Sequence, residues 1–139
     1  EPQSPQGAAT PEVSQQVGVL LAEDSDFFRD QVKRLLEENA YVVFGAEDGA
    51  VAWQTLQEAQ DSVDLVLTDL EMPNMDGFEL TQKIKNDNRF SHLPVIALTS
   101  LAGEEDQEKG KQVGIDEYHI KLDKDKLLAS LAHYAPAFA

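Results

Sequence analysis

Leu65-Val66-Leu67-Thr68-Asp69-Leu70-Glu71-Met72-Pro73-Asn74-Met75-Asp76-Gly77 sets a continuous apolar run against one carboxylate and then a loop punctuated by Pro and Gly. An unbroken apolar run of this length reads as a strand buried on both faces, as in parallel sheets. Such a strand needs no acid at its end, and a carboxylate left there costs desolvation energy unless its surroundings compensate. Asp69 therefore reads as a presented nucleophile. On this stretch alone, an Asp that opens a turn or caps the next helix is the competing reading.

The same pattern extends outward in both directions. Residues 17–22, 41–46, 94–99 and 117–121 repeat the strand signal, with 63–68 as the third strand in chain order. Helical periodicity fills the intervals. Residues 26–39 place Phe28, Val32, Leu35 and Leu36 on one face, and 49–59, 77–86, the polar stretch 104–113 and the amphipathic 124–134 follow. Strict alternation of strand and helix predicts an α/β fold whose parallel sheet is covered on both faces. Trp53 and Phe44 are assigned to core packing.

Composition narrows the function classes. The 139 residues, 42% of them hydrophobic, suffice for one domain with a real core. A formal net charge of -15 argues against nucleic acid or an anionic membrane as the main partner, leaving proteins or cations. There is no cysteine, which excludes disulfides and zinc-thiolate sites and suits a cytoplasmic location. His92, His119 and His133 are too scattered to suggest zinc or a catalytic base. No apolar run is long enough to span a bilayer. Residues 1–16, rich in Pro, Gln, Ser, Ala and Gly, read as a flexible tail or linker, and 17–139 as the folded domain. Because the chain opens on Glu1 without an initiator Met, it reads as an excised piece whose tail joined an upstream domain.

In open parallel sheets the reactive crevice lies beyond the carboxyl ends of the strands. Glu23 and Asp24 follow the first strand, Asp69 the third, Thr99 and Ser100 the fourth, and Lys121 the fifth. Each has an ordinary reading alone, as a cap, a β-former or a solvated cation, but their recurrence at successive strand ends makes them a set. Clustered carboxylates are costly unless a cation neutralises them, and oxygen ligands select a hard ion, Mg2+ or Mn2+. Asp24 and Asp69 would supply carboxylate oxygens, Glu71 its backbone carbonyl, and Glu23 a direct or water-mediated contact. Lys121 and the Thr99 hydroxyl would hold an anion attached to Asp69. Cation, lysine and hydroxyl together suit a transferring phosphoryl group, and the inferred product is an aspartyl phosphate on Asp69.

These residues resemble the receiver domains of two-component response regulators, from Val17 to His133. The resemblance implies a CheY-like, flavodoxin-like doubly wound fold with strand order 2-1-3-4-5. It implies that Glu23 and Asp24 are the acidic pair, Asp69 the phosphoacceptor, Thr99 the switch hydroxyl, Lys121 the family's lysine and Tyr118 the switch aromatic. Phosphorylation would draw Thr99 toward the phosphoryl oxygen and let Tyr118 repack the surface around the fourth helix and fifth strand. The donor would be a histidine kinase or phosphotransfer domain, in the same chain or another. As an isolated domain it would be no enzyme beyond its own phosphorylation and dephosphorylation.

Within the family, Glu23-Asp24-Ser25, the run from Glu71 to Glu79 and Lys121-Leu122-Asp123 look most like receivers at the C-terminus of CheA-type hybrid chemotaxis kinases, or of CheV-type coupling proteins. Leu122 departs from the family's usual Pro, so the Lys121-Leu122 loop is either trans and reshaped or strained. Glu71 places a carboxylate two residues from Asp69, where like charge could tune the lifetime of the phosphorylated state. Two other readings stand beside this one. A degenerate receiver would serve only as a docking module. A haloacid-dehalogenase-like phosphatase would share the Asp nucleophile and Mg2+, but it would carry its nucleophile on the opening strand.

Overall fold

Five strands form the centre of the computed structural model, which describes residues 16–99, 103–121 and 123–134. They are β1 (Gly18–Ala22), β2 (Val42–Ala46), β3 (Leu65–Thr68), β4 (Val95–Thr99) and β5 (Glu117–Ile120). The helices between them are α1 (Asp26–Glu38), α2 (Gly49–Glu58), α3 (Gly77–Lys85), α4 (Glu104–Val113) and α5 (Lys124–Tyr134). All strand pairs are parallel and the order is β2-β1-β3-β4-β5, as the resemblance implied. Residues 1–15, Ser100 and Leu122 lie outside the described residues. So do most of the expected tail and the peptide that follows Lys121.

Parallel strands cannot turn back on themselves, so every connection crosses over through a helix, and the helices cover both faces. On one face α2, α3 and α4 pack over Leu20, Val66, Val95 and Ala97, with Phe78, Leu80, Ile84 and Phe90 filling the layer. Trp53 meets Phe90 edge-on at 5.8 Å and Phe44 packs against the same cluster, as expected of core residues. On the other face α1 and α5 cover Val19, Leu21, Leu65, Leu67, Ile96 and Leu98. The central strands β1, β3 and β4 are buried at every position, whereas β2 and β5 are half-exposed edges.

Helix starts follow from short polar side chains. The Ser25 hydroxyl, Asp48 and Asp76 accept the backbone N–H groups of Phe28, Val51 and Glu79, capping α1, α2 and α3. The third strand starts two residues later than its apolar run suggests, because Asp64 bonds to Gly18 before the ladder begins. On α1, Val32 and Leu36 are buried and Phe28 and Leu35 only partly so, while Phe27 is 73% exposed. Among the described residues, no helix is long and apolar enough to cross a membrane.

Candidate functional site

The carboxyl edge of the sheet is extended by one residue past several strands. The Glu23 N–H donates to Ala46 O at 3.0 Å, the Asp69 N–H to Ala22 O at 2.8 Å, and the Lys121 N–H to Thr99 O at 2.9 Å. These bonds hold three charged side chains on a rigid rim, whereas free loops would leave them mobile. Glu23 is 1% exposed and Asp69 7%; Thr99 is also buried, and Asp24 is exposed at the mouth. One carboxylate oxygen from each of Glu23, Asp24 and Asp69 falls within 4.8 Å of the others.

Lys121 balances part of this charge. Its Nζ stands 2.7 Å from Glu23 Oε1 and 3.2 Å from Asp69 Oδ2, and lies over the Phe28 ring at 4.8 Å from the centroid. The Ser25 N–H donates to Glu23 Oε2 at 3.0 Å and the Leu70 N–H to Asp69 Oδ1 at 2.8 Å. Burial raises the Glu23 carboxyl above its ordinary range, against the pull of the Lys121 ammonium and the Ser25 amide; the Asp69 charge adds to the rise. Burial works against the Lys121 ammonium too, but Glu23 and Asp69 outweigh it and hold the amine above the usual lysine range.

The residue chemistry fits a divalent cation. Glu23 Oε1 is buried with no aligned hydrogen-bond donor among the described residues, and its contact with Lys121 is an ion pair. Three converging carboxylates against one lysine leave a surplus of negative charge that a hard, oxygen-seeking ion would neutralise. Above the trio lies a cleft of about 860 Å³ lined by Asp24, Asp69, Glu71, Thr99 and Lys121 among others, with Glu23 beneath it. The cleft brings together the site residues expected from sequence except Glu23, which reaches it through its ion pair with Lys121, and Tyr118.

Tyr118 points elsewhere. Its hydroxyl donates to Asp106 O on α4 at 2.7 Å, and its ring packs against the core layer beneath α2, α3 and α4. This seat exists because α4 carries Gly110: a Cβ there would stand 1.6 Å from the Tyr118 hydroxyl oxygen. Gly110→Ala is therefore expected to evict the Tyr118 ring into solvent. Tetranitromethane should then nitrate Tyr118 faster than in the wild type, with Tyr41 and Tyr134 as internal references; an unchanged rate at Tyr118 would show that the notch does not hold the ring.

Sequence reading did not single out Asp48, Asn74, Phe28 as a platform for Lys121, or Lys109, which lines the cleft over the Phe78 ring at 4.5 Å. Asp48 was findable, since Glu47-Asp48 follows β2 as Glu23-Asp24 follows β1.

Comparison with known proteins decides the family. The model of the response regulator receiver domain matches residues 19–132. The chain belongs to the response regulator receiver family. Its fold matches that of the chemotaxis protein CheY4 of Vibrio cholerae with a TM-score of 0.80 at 29% identity, over 86% of this chain and 98% of that one. The receiver domain of the sensor histidine kinase PA1611 from Pseudomonas aeruginosa, solved with magnesium coordinated in the active-site cleft, matches at a TM-score of 0.75 and 27% identity, over 86% and 97%. A gliding motility regulatory protein of Myxococcus xanthus is 38% identical over 103 residues, 74% of this chain. The receiver spans only 13% of that relative's length. This chain is thus a receiver domain of the two-component and chemotaxis type, with an acidic pocket suited to a phosphoacceptor; membership in the family sets aside the phosphatase reading.

Proposed function

We propose that this receiver takes one phosphoryl group from a phosphohistidine onto Asp69. Asp24, Asp69 and the Glu71 carbonyl would hold Mg2+, or Mn2+, with Glu23 in contact directly or through water. The reading is carried by one observation: a lysine is poised between a buried glutamate and the strand-end aspartate, beside a cluster of three carboxylates. When bound, the divalent cation would offset the negative charge on Asp69 and on the phosphoryl oxygens.

The chain's own residues do the rest. An Asp69 carboxylate oxygen attacks phosphorus in line with the leaving imidazole; a P–O bond forms as the P–N bond breaks, the bond pair stays on the ring nitrogen, and the ring, already protonated at its other nitrogen, departs as neutral imidazole. Lys121 exchanges its contact with Asp69 for one with a phosphoryl oxygen, and the Thr99 hydroxyl donates to another. Thr99 movement then reaches the Tyr118 seat on α4, which makes the α4-β5-α5 surface the output. We further propose that the domain works in the cytoplasm within a larger signalling chain, a CheA-type hybrid kinase or a CheV-type coupling protein, with residues 1–16 as linker. The likeness to the receiver of a sensor histidine kinase supports a kinase context. There it would pass on a signal or drain phosphate from its kinase.

The test is phosphotransfer from an autophosphorylated histidine kinase carrying labelled phosphate. Label is expected to move to the receiver in Mg2+, to a limit of one group per chain, and to stay on the kinase in EDTA. Retention of label on several unrelated kinases, with Mg2+ present, would replace this reading with that of a docking module.

A further inference from the structure

Residues 70–76, the loop between β3 and α3, cross the cleft above Asp69 and contain the Glu71 carbonyl proposed for the cation. One end is closed by the Gly77 N–H, which donates to Leu70 O at 2.9 Å. Between that closure and Asn74, neither Glu71 nor Met72 makes a backbone–backbone hydrogen bond among the described residues. Their backbone is held from the two ends of the loop, with the Met72 side chain packed against the core layer and the Met75 N–H donating to Pro73 O.

The far end is tied to the start of α2. Asp48 is 5% exposed and takes no part in the acidic trio. Its Oδ1 accepts the Val51 N–H at 2.9 Å and caps α2, while its Oδ2 accepts Asn74 Nδ2 at 2.8 Å. Beside it the Gly49 N–H donates to Met75 O at 3.0 Å, and a Cβ on residue 49 would lie 2.2 Å from that oxygen. Asn74 has φ 68, in the left-handed region where glycine is free of penalty and asparagine is tolerated at some cost. Donating its amide to a buried carboxylate offsets that cost and anchors the turn to a second element. The Val51 amide first, and the Asn74 amide second, hold the Asp48 carboxyl below the usual carboxylate range. At neutral pH Asp48 is thus ionised and a pure acceptor for both bonds.

We propose that Asp48 and Asn74 are positioning residues for the phosphoacceptor site: their hydrogen bond fixes residues 71–73 over Asp69, and cation affinity and phosphorylation rate depend on it. The proposal rests on the phosphoacceptor reading above. Three variants separate positioning from stability. Asn74→Gly suits the positive φ and removes the amide. Asp48→Ser keeps a good N-cap and removes the second arm. The exchange Asp48→Asn with Asn74→Asp preserves the net charge and the bond, with donor and acceptor reversed.

Mg2+ affinity is measured calorimetrically, phosphorylation by acetyl phosphate through intact mass, and Tm by circular dichroism. Each single variant is expected to lose about tenfold in Mg2+ affinity and in rate, the scale of one hydrogen bond to a charged group. Asn74→Gly combined with Asp48→Ser should lose no more than either alone, and the exchange should recover most of the loss. Single variants that lower Tm but leave affinity and rate at wild-type values would overturn the proposal, as would losses that multiply in the combined variant. Failure of the wild type itself to bind Mg2+ or gain a phosphoryl group would instead overturn the phosphoacceptor reading, and this proposal with it.

Discussion

Replacing Lys121 with methionine is expected to slow phosphorylation of Asp69 about a hundredfold, the usual scale for removing one donor from a developing oxyanion. Methionine keeps much of the aliphatic stem over Phe28 and removes the ammonium that stands 3.2 Å from Asp69 Oδ2. The same change strips Glu23 of its ion pair. Glu23 is 1% exposed and Lys121 15%, so the metal-free protein should lose about 3 kcal/mol, the low end for breaking a buried pair because the lysine keeps some water. The pH dependence has a definite sign. Lys121 is raised above its unfolded value, so its stabilisation is complete below the ordinary lysine range and is lost as pH rises through the raised value. Urea unfolding in EDTA should therefore show a wild-type advantage at neutral pH that shrinks in strong alkali. A constant gap across that window would mean that the ion pair is not what stabilises the wild type.

Asp69→Asn is expected to abolish phosphoryl incorporation altogether, since an amide oxygen cannot form the acyl phosphate. Its effect on stability should run the other way. Asparagine retains an acceptor for the Leu70 N–H, and it relieves the repulsion among three carboxylate oxygens gathered within 4.8 Å. In EDTA the variant should be at least as stable as the wild type. Mg2+ at a hundredfold excess over its dissociation constant should stabilise the wild type by about 2.7 kcal/mol and the variant by much less. Equal stabilisation of both proteins by Mg2+ would place the cation away from Asp69.

The architecture was legible because each central strand is an uninterrupted apolar run and helical stretches fill the intervals between strands. Ser25, Asp48 and Asp76 cap their helices in the structure. The acidic trio and Lys121 were legible for a related reason: in a parallel sheet, position in sequence just past a strand is position in space on one rim. What the sequence concealed depends on pairs brought together by tertiary packing. The Asp48–Asn74 bond joins residues 26 apart, and neither shows any local sign of the other. The inward seat of Tyr118 depends on a missing side chain at Gly110, which in sequence reads only as a weak point in a polar helix. Phe27 and Phe28 are adjacent and chemically alike, yet one faces solvent and the other supports Lys121; the helical register decides between them.

Chemical trapping of the product tests phosphorylation of Asp69 at its source. The wild type is incubated with Mg2+ and acetyl phosphate, reduced with borohydride to convert any acyl phosphate to the alcohol, digested and mapped by mass spectrometry. Homoserine is expected at position 69 alone, on no more than one site per chain, and none when EDTA replaces Mg2+. Homoserine at position 24 or 5-hydroxynorvaline at position 71 with an unmodified Asp69, or no reduced residue at all in Mg2+, would contradict it.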